Sequence, residues 1–204
     1  MPKDSTTKQT DQDTGVCEPV TTPEDYILSV LLTATDAGVL APFAATAALP
    51  AYQLGPRWDV RPANFVEDDE FFDLAVVVCA DRAQLEASAM VAAQLAARRN
   101  LTVLLVPAAL GAEVTVDGAT VLAVPRDLVD GLAILGTLVF GATQHDGDVC
   151  CDLADITAVL DGGSRGVMFS CEAPMPKEAI AGLQWMMRHM PPDSGHGGVV
   201  TLHG

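Results

Sequence analysis

The stretch from Phe72 to Pro107 limits the possible folds more than any other part of the chain. Phe72 to Ala80 (FDLAVVVCA) is a short, continuous, β-branched apolar run, the pattern of a strand covered on both faces. Arg82 to Arg99 then keeps Leu85, Ala89, Ala92, Ala93 and Ala96 at helical spacing. Asp81 is placed to N-cap that helix, Arg98 and Arg99 suit its negative end, and Asn100 can stop it. Leu101 to Pro107 (LTVLLVP) is a second buried strand. Strand, crossover helix, strand is a βαβ unit, and its two strands run parallel.

The flanking segments extend this pattern. Tyr26 to Thr33 (YILSVLLT) reads as a buried strand, and Ala41 to Ala51 as a short Ala-rich helix closed by Pro50. Gly55 to Phe65, with Pro56 and Pro62, reads as loop or edge strand, and Glu67 to Glu70 as a solvated acidic turn. Ala112 to Val116, Asp117-Gly118, then Ala119 to Pro125 has the form of a hairpin or strand pair. Leu128 to Thr143 is a long helix, apolar nearly all round, which belongs in the middle of a domain. Asp152 to Leu160 is a helix stopped by Gly162-Gly163. Gly166 to Cys171 is a strand, Lys177 to Met190 a helix, and Gly198 to Leu202 a closing strand. The fold class that results is α/β with a mostly parallel sheet.

Charge and cysteine content narrow the function classes. Acidic side chains outnumber basic ones 27 to 11, a net charge of −16, which repels phosphate backbones and anionic lipid. Nucleic acid is therefore not an expected partner. The apolar stretch Tyr26 to Tyr52 fails as a membrane span, because Asp36 lies within it, Gly38 and Pro42 interrupt it, and no basic flank anchors it. Five cysteines (Cys17, Cys79, Cys150, Cys151, Cys171) stand in unrelated contexts. With no signal peptide at Met1, reduced thiols and a cytoplasmic location are expected. His145, Asp148, Cys150 and Cys151 lie close in sequence but lack the paired spacing of a metal site, so no metal is expected. Trp185, Met186, Met187 and Met190 share one helix, read as core or as a partner surface.

The second half carries a further pattern. Thr120 to Asp127 reads TVLAVPRD, a strand closing in a turn, and Asp130 to Gly147 spaces as a long helix. Gly147 to Ile156 reads GDVCCDLADI, followed by Val159 to Met168 (VLDGGSRGVM), Lys177 to Leu183 (KEAIAGL) and Gly198 to Gly204 (GVVTLHG). Taken in order, residues 119 to 204 resemble FtsZ, the bacterial relative of tubulin. That family has a strand ending in a Pro-Asn-Asp type turn, a long central helix and a loop of the form G-L-x-N-x-D-F-A-D-V. A helix, a Gly turn, a strand and an acid-started helix follow. Upstream, Asp73 to Pro107 looks like the family's strand, phosphate loop, helix and strand.

The resemblance implies a Rossmann-like sheet of FtsZ/tubulin type with a central helix. It also implies three regions: a disordered tail at 1–22, a degenerate nucleotide domain at 23–163, and a remnant of the second subdomain at 164–204. In FtsZ filaments the synergy loop reaches into the next subunit's nucleotide site, where its carboxylates orient the attacking water. Asp152 and Asp155 match those carboxylates, and Cys150 stands where the family has Asn. Asp152 reads equally as the N-cap of the helix starting at Leu153. Asp130 matches the position that reads the guanine edge, and reads equally as a helix-terminus charge.

The cofactor loops depart from the family. Where the family has G-G-G-T-G-T-G, this chain has Ala80 to Ala87 (ADRAQLEA), with Asp81 and Glu86 where phosphates would rest. Glycines there let backbone N–H groups close on an anion, which side chains prevent. The first Gly-rich loop should fall near Thr33 to Pro42, which holds Gly38 with Asp36 beside it. The segment between Thr33 and Asp73 is also shorter than the family's equivalent. No bound cofactor is therefore expected, with GTP or GDP as the alternative. Three function classes remain. The first is a non-hydrolysing FtsZ-like protein that contacts a protein partner, either an FtsZ-type polymer or itself. The second is a residual GTPase acting with a partner subunit. The third is an unrelated α/β domain forming its own homo-oligomer.

Overall fold

Six short apolar runs pair side by side in the computed structural model, which describes residues 28–47, 57–67, 69–98, 100–124, 127–143, 153–160, 165–168 and 175–189. The strands are β1 (Ser29–Ala34), β2 (Arg57–Val60), β3 (Leu74–Val78), β4 (Leu101–Pro107), β5 (Thr120–Val124) and β6 (Arg165–Val167). The helices are α1 (Ala37–Ala47), α2 (Leu85–Ala97), α3 (Ala108–Gly111), α4 (Leu128–Thr143), α5 (Leu153–Leu160) and α6 (Pro176–His189). The tail at 1–22, Cys150, Asp152, the turn Gly162-Gly163 and the closing strand expected at Gly198 to Leu202 lie outside the described residues.

The strands form one six-stranded sheet in the order β2-β1-β3-β4-β5-β6, and every pairing is parallel. One rung crosses the four central strands: Thr33 opposite Val77, Val77 opposite Leu104, Leu104 opposite Val121. Alternation along each strand sends successive side chains to opposite faces. Val30, Leu32, Val76, Val78, Val103, Leu105 and Leu122 pack on one face with Leu40 and Phe43 of α1, Leu132 and Leu135 of α4, and Ile156 of α5. Leu31, Ala75, Val77, Leu104, Val106 and Val121 pack on the other with Ala92 and Leu95 of α2 and Leu110 of α3. The central strands are buried on both sides, which is why they read as unbroken apolar runs.

The helices therefore cover both faces of a doubly wound sheet. The steps from β3 to β4 and from β4 to β5 pass over the α2/α3 face. The step from β5 to β6 moves the same way across the sheet, but α4 and α5 lie on the α1 face. This last connection is thus opposite in hand to the two before it, a rare departure from the usual crossover rule. β6 joins the edge of the sheet by pairing with β5 through Val121 and Arg165.

Two local expectations are corrected. The strand pair at Ala112 to Pro125 reduces to a single bridge, Val116 with Ala119, around Gly118 at φ 71°, and only Thr120 to Val124 is strand. Val114 and Val116 are buried against the α2 face, so their alternation reports burial rather than strand pairing. The first helix starts at Ala37, not Ala41, and carries Pro42 within it. Further along, α4 lies so close to β5 that a Cβ on Gly131 would come within 2.5 Å of Val124. Glycine at that point lets the helix sit directly on the strand.

Candidate functional site

In an open parallel sheet, ligands bind outside the carboxyl ends of the strands, where the winding direction reverses. Here that point lies between β1 and β3, since the chain goes from β1 outward to β2 and then back past β1 to β3. Its walls are the segment after β1 (Thr35, Asp36) and the segment after β3 (Cys79, Ala80, Asp81). The first turns of α1 and α2 lead away from it.

Both segments close over themselves. Asp36 caps α1: its Oδ1 accepts from the Gly38 N–H at 2.8 Å. Asp81, extended at φ −147°, accepts from the Gln84 N–H through Oδ1 at 3.1 Å and caps the 3-10 turn that leads into α2. The Gln84 amide then spans the gap, Nε2 donating to Asp36 Oδ2 at 3.4 Å across 48 residues of sequence. Beneath, the Thr35 and Ser88 hydroxyls lie 3.4 Å apart, and the Cys79 thiol donates to the Asp81 carbonyl at 3.2 Å. Burial holds the Cys79 thiol above its ordinary value, against hydrogen bonding with Ser88 and the Asp81 backbone. The thiol is therefore protonated at neutral pH and a poor nucleophile. Among the described residues, Thr33 Oγ1 and Gln84 Oε1 are buried without a hydrogen-bond partner.

This arrangement is poor ground for an anion. The Gly38 and Gln84 N–H groups already donate to Asp36 and Asp81, and both carboxylates are exposed at the crevice mouth. Arg82, the nearby cation among the described residues, turns away to pair with Glu113. The structure thus brings Asp81 to the switch point as a cap, as its sequence position implied, and adds Asp36, Gln84 and Ser88.

The other candidate positions lie apart. Asp130 is exposed in the first turn of α4, while Asp127 makes the cap, its Oδ1 accepting from the Val129 N–H at 2.9 Å. Asp155 falls within α5, and Ala154 beside it is exposed. Cys150 and Asp152 are outside the described residues, so the loop proposed as a subunit contact is seen only from its helical end.

Two clefts open elsewhere. A cleft of ≈ 550 Å³ lies between α2 and residues 113–117, lined among others by Leu85, Ala89, Met90 and Val116. A smaller one of ≈ 220 Å³, near Ser29, Arg57, Asp59 and Phe72, sits at the amino ends of β1 and β2. Among the described residues no group of three or more His, Cys, Asp or Glu converges as metal ligands, and no helix is long and apolar enough to cross a membrane.

Comparison with known proteins adds no family: no family model, no curated protein and no solved structure matches this chain.

Proposed function

We propose that this chain is a non-hydrolysing, FtsZ/tubulin-like protein that works by contact with other proteins, as a scaffold, filament component or regulator of an FtsZ-type polymer. The observation that supports this reading is the self-capped crevice. Two carboxylates, Asp36 and Asp81, each take one backbone donor, Gly38 and Gln84, at the point where an α/β sheet ordinarily takes its ligand. An open phosphate loop would instead present free N–H groups and glycines.

The contact surface in this reading includes the end of α5 around Ala154 and Asp155, which would dock head to tail on another subunit. A contact of that kind is heterologous, and extends or caps a filament according to what the far face offers.

Melting curves with GTP, GDP and ATP test the first half of the reading. Ligand at 100 times its dissociation constant stabilises by about 2.7 kcal/mol, roughly 5–10 °C in a domain of this size. No rise is expected with any of the three, and a rise of that order with a guanine nucleotide would replace the proposal with a residual GTP-binding protein. Co-sedimentation with a polymerised FtsZ tests the second half. The chain is expected to enter the pellet or change filament length, and the Asp155→Ala variant to do so less. Unchanged filaments at equal stoichiometry would remove the FtsZ-type partner.

A further inference from the structure

The ≈ 550 Å³ cleft beside α2 has no part in the switch-point crevice, and its shape and charge select a partner. Its floor is apolar. Leu85, Ala89 and Ala93 line it at i, i+4 and i+8 along α2, opposite the buried Val114 and Val116. That row is about 12 Å long, two turns of helix. Met90 stands on the rim with 60 % of its surface exposed.

We propose that this cleft is a docking groove for an amphipathic helix with a basic flank, supplied by another protein. This rests on the reading of the chain as a protein-binding module and names the chemistry of one partner.

A helix is favoured over a strand because the α2 wall of the groove has its backbone groups paired within the helix and offers no ladder to extend. The small side chains of Ala89 and Ala93 allow a second helix axis to approach at the close end of the usual 8–10 Å range. The basic flank follows from charge. Glu86 and Asp117 edge the groove with exposed carboxylates, while the lining residues Arg82 and Glu113 pair with each other. A symmetric contact with a second copy would bring the same carboxylates against this face on a chain of net charge −16. The chain's own terminal segments do not complement the groove either. Residues 1–27 hold Lys3 and Lys8 against six carboxylates, and residues 190–204 hold Asp193 and no Lys or Arg.

Fluorescence anisotropy on the full chain tests this with two labelled model helices of about 16 residues, sharing one Leu/Ala face and flanked by Lys or by Glu, at about 0.15 M salt. The Lys-flanked helix is expected to bind saturably and the Glu-flanked one not. Met90→Ser and Ala89→Gln should each weaken binding, about tenfold together. Met90 is exposed, so its variant keeps the fold even where Ala89→Gln does not, and unchanged melting checks this. Glu86→Lys should weaken binding several-fold more than Asp69→Lys, which makes the same charge change in an exposed turn outside the cleft.

Equal loss from those two charge variants would show general attraction to an acidic surface and overturn the proposal. So would non-saturating binding, equal binding of both helices, or insensitivity to Met90→Ser. A dimer in sedimentation that Met90→Ser abolishes would assign the groove to a second copy instead. A guanine-nucleotide melting shift would unseat the function proposed above, and the groove would stand or fall on the peptide data alone.

Discussion

The two ends of the sheet use the same kinds of side chain for different work. At the amino end, Asp73 accepts from both the N–H and the hydroxyl of Ser29, at 2.7 and 2.8 Å, across 44 residues. Asn100, only 4 % exposed, accepts from the Phe72 N–H at 2.8 Å and donates to the Leu95 carbonyl at 3.0 Å. These bonds tie separate elements together, the Asn100 pair in a buried site and the Asp73 pair in a half-buried one. At the carboxyl end, Asp36 and Asp81 each accept from an N–H two or three residues along, in the open. The comparison teaches that the amino end ties distant elements through short bonds, while at the carboxyl end the short bonds are local caps and the two cross-element contacts, Gln84 with Asp36 and Thr35 with Ser88, are long at 3.4 Å.

The sharpest way to break that contrast is Asn100→Ala. It strands the buried Phe72 N–H, while the Leu95 carbonyl keeps the Arg98 N–H as a donor, so about 2–3 kcal/mol should be lost in urea unfolding, where an unmet buried group costs about 1–3 kcal/mol. A loss below about 1 kcal/mol would mean that the amino end is not the clamp. Asp73→Ala comes next. Its partners are only partly buried and water can replace it in part, so about 1–2 kcal/mol is expected from the same measurement.

Asp36→Ala and Asp81→Ala should each cost about 1 kcal/mol or less, the ordinary worth of an exposed cap. If either exceeded Asn100→Ala in urea, the roles of the two ends would be reversed.

The smallest effect concerns acid stability. Arg61 binds the Glu70 carboxylate at 2.6 Å, and that hydrogen bond, helped by the Glu67 N–H, holds Glu70 below its ordinary carboxylate value. A lowered value means the folded chain binds the proton less tightly than the unfolded one. The stabilisation is present above the ordinary Glu value of about 4.3 and is lost as the pH falls through the folded value. The acid limb of stability for Glu70→Gln should be slightly flatter than that of the parent. Identical limbs would mean the pair contributes nothing.

The central sheet was legible because burial on both faces leaves its strands almost wholly apolar, with Thr33, Thr102 and Thr120 as their buried polar residues among the described ones. Leu74 to Val78 and Leu101 to Pro107 are strands for the reason their sequences suggest. Asp81 was legible as a cap because capping is local, two or three residues in reach. The acidic turn was legible only in part, since Glu70 is held by Arg61 rather than simply solvated. What sequence could not show were contacts made across long separations. Gln84 meets Asp36 only because β1 and β3 are neighbours, and Thr35 meets Ser88 for the same reason. The strand expected before Gly118 failed because Val114 and Val116 are buried by packing on α2, which produces alternation without a ladder. The synergy-loop reading meets the structure only at Asp155.

The short outer strands have a consequence for how this protein can aggregate. Among the described residues the sheet ends in β2, four residues long, and β6, three. Such margins give an incoming extended chain few free amides to copy, and a long flat margin is what templates fibres. Assembly is thereby steered to helices and loops, where geometry rather than a repeating ladder decides which neighbour fits.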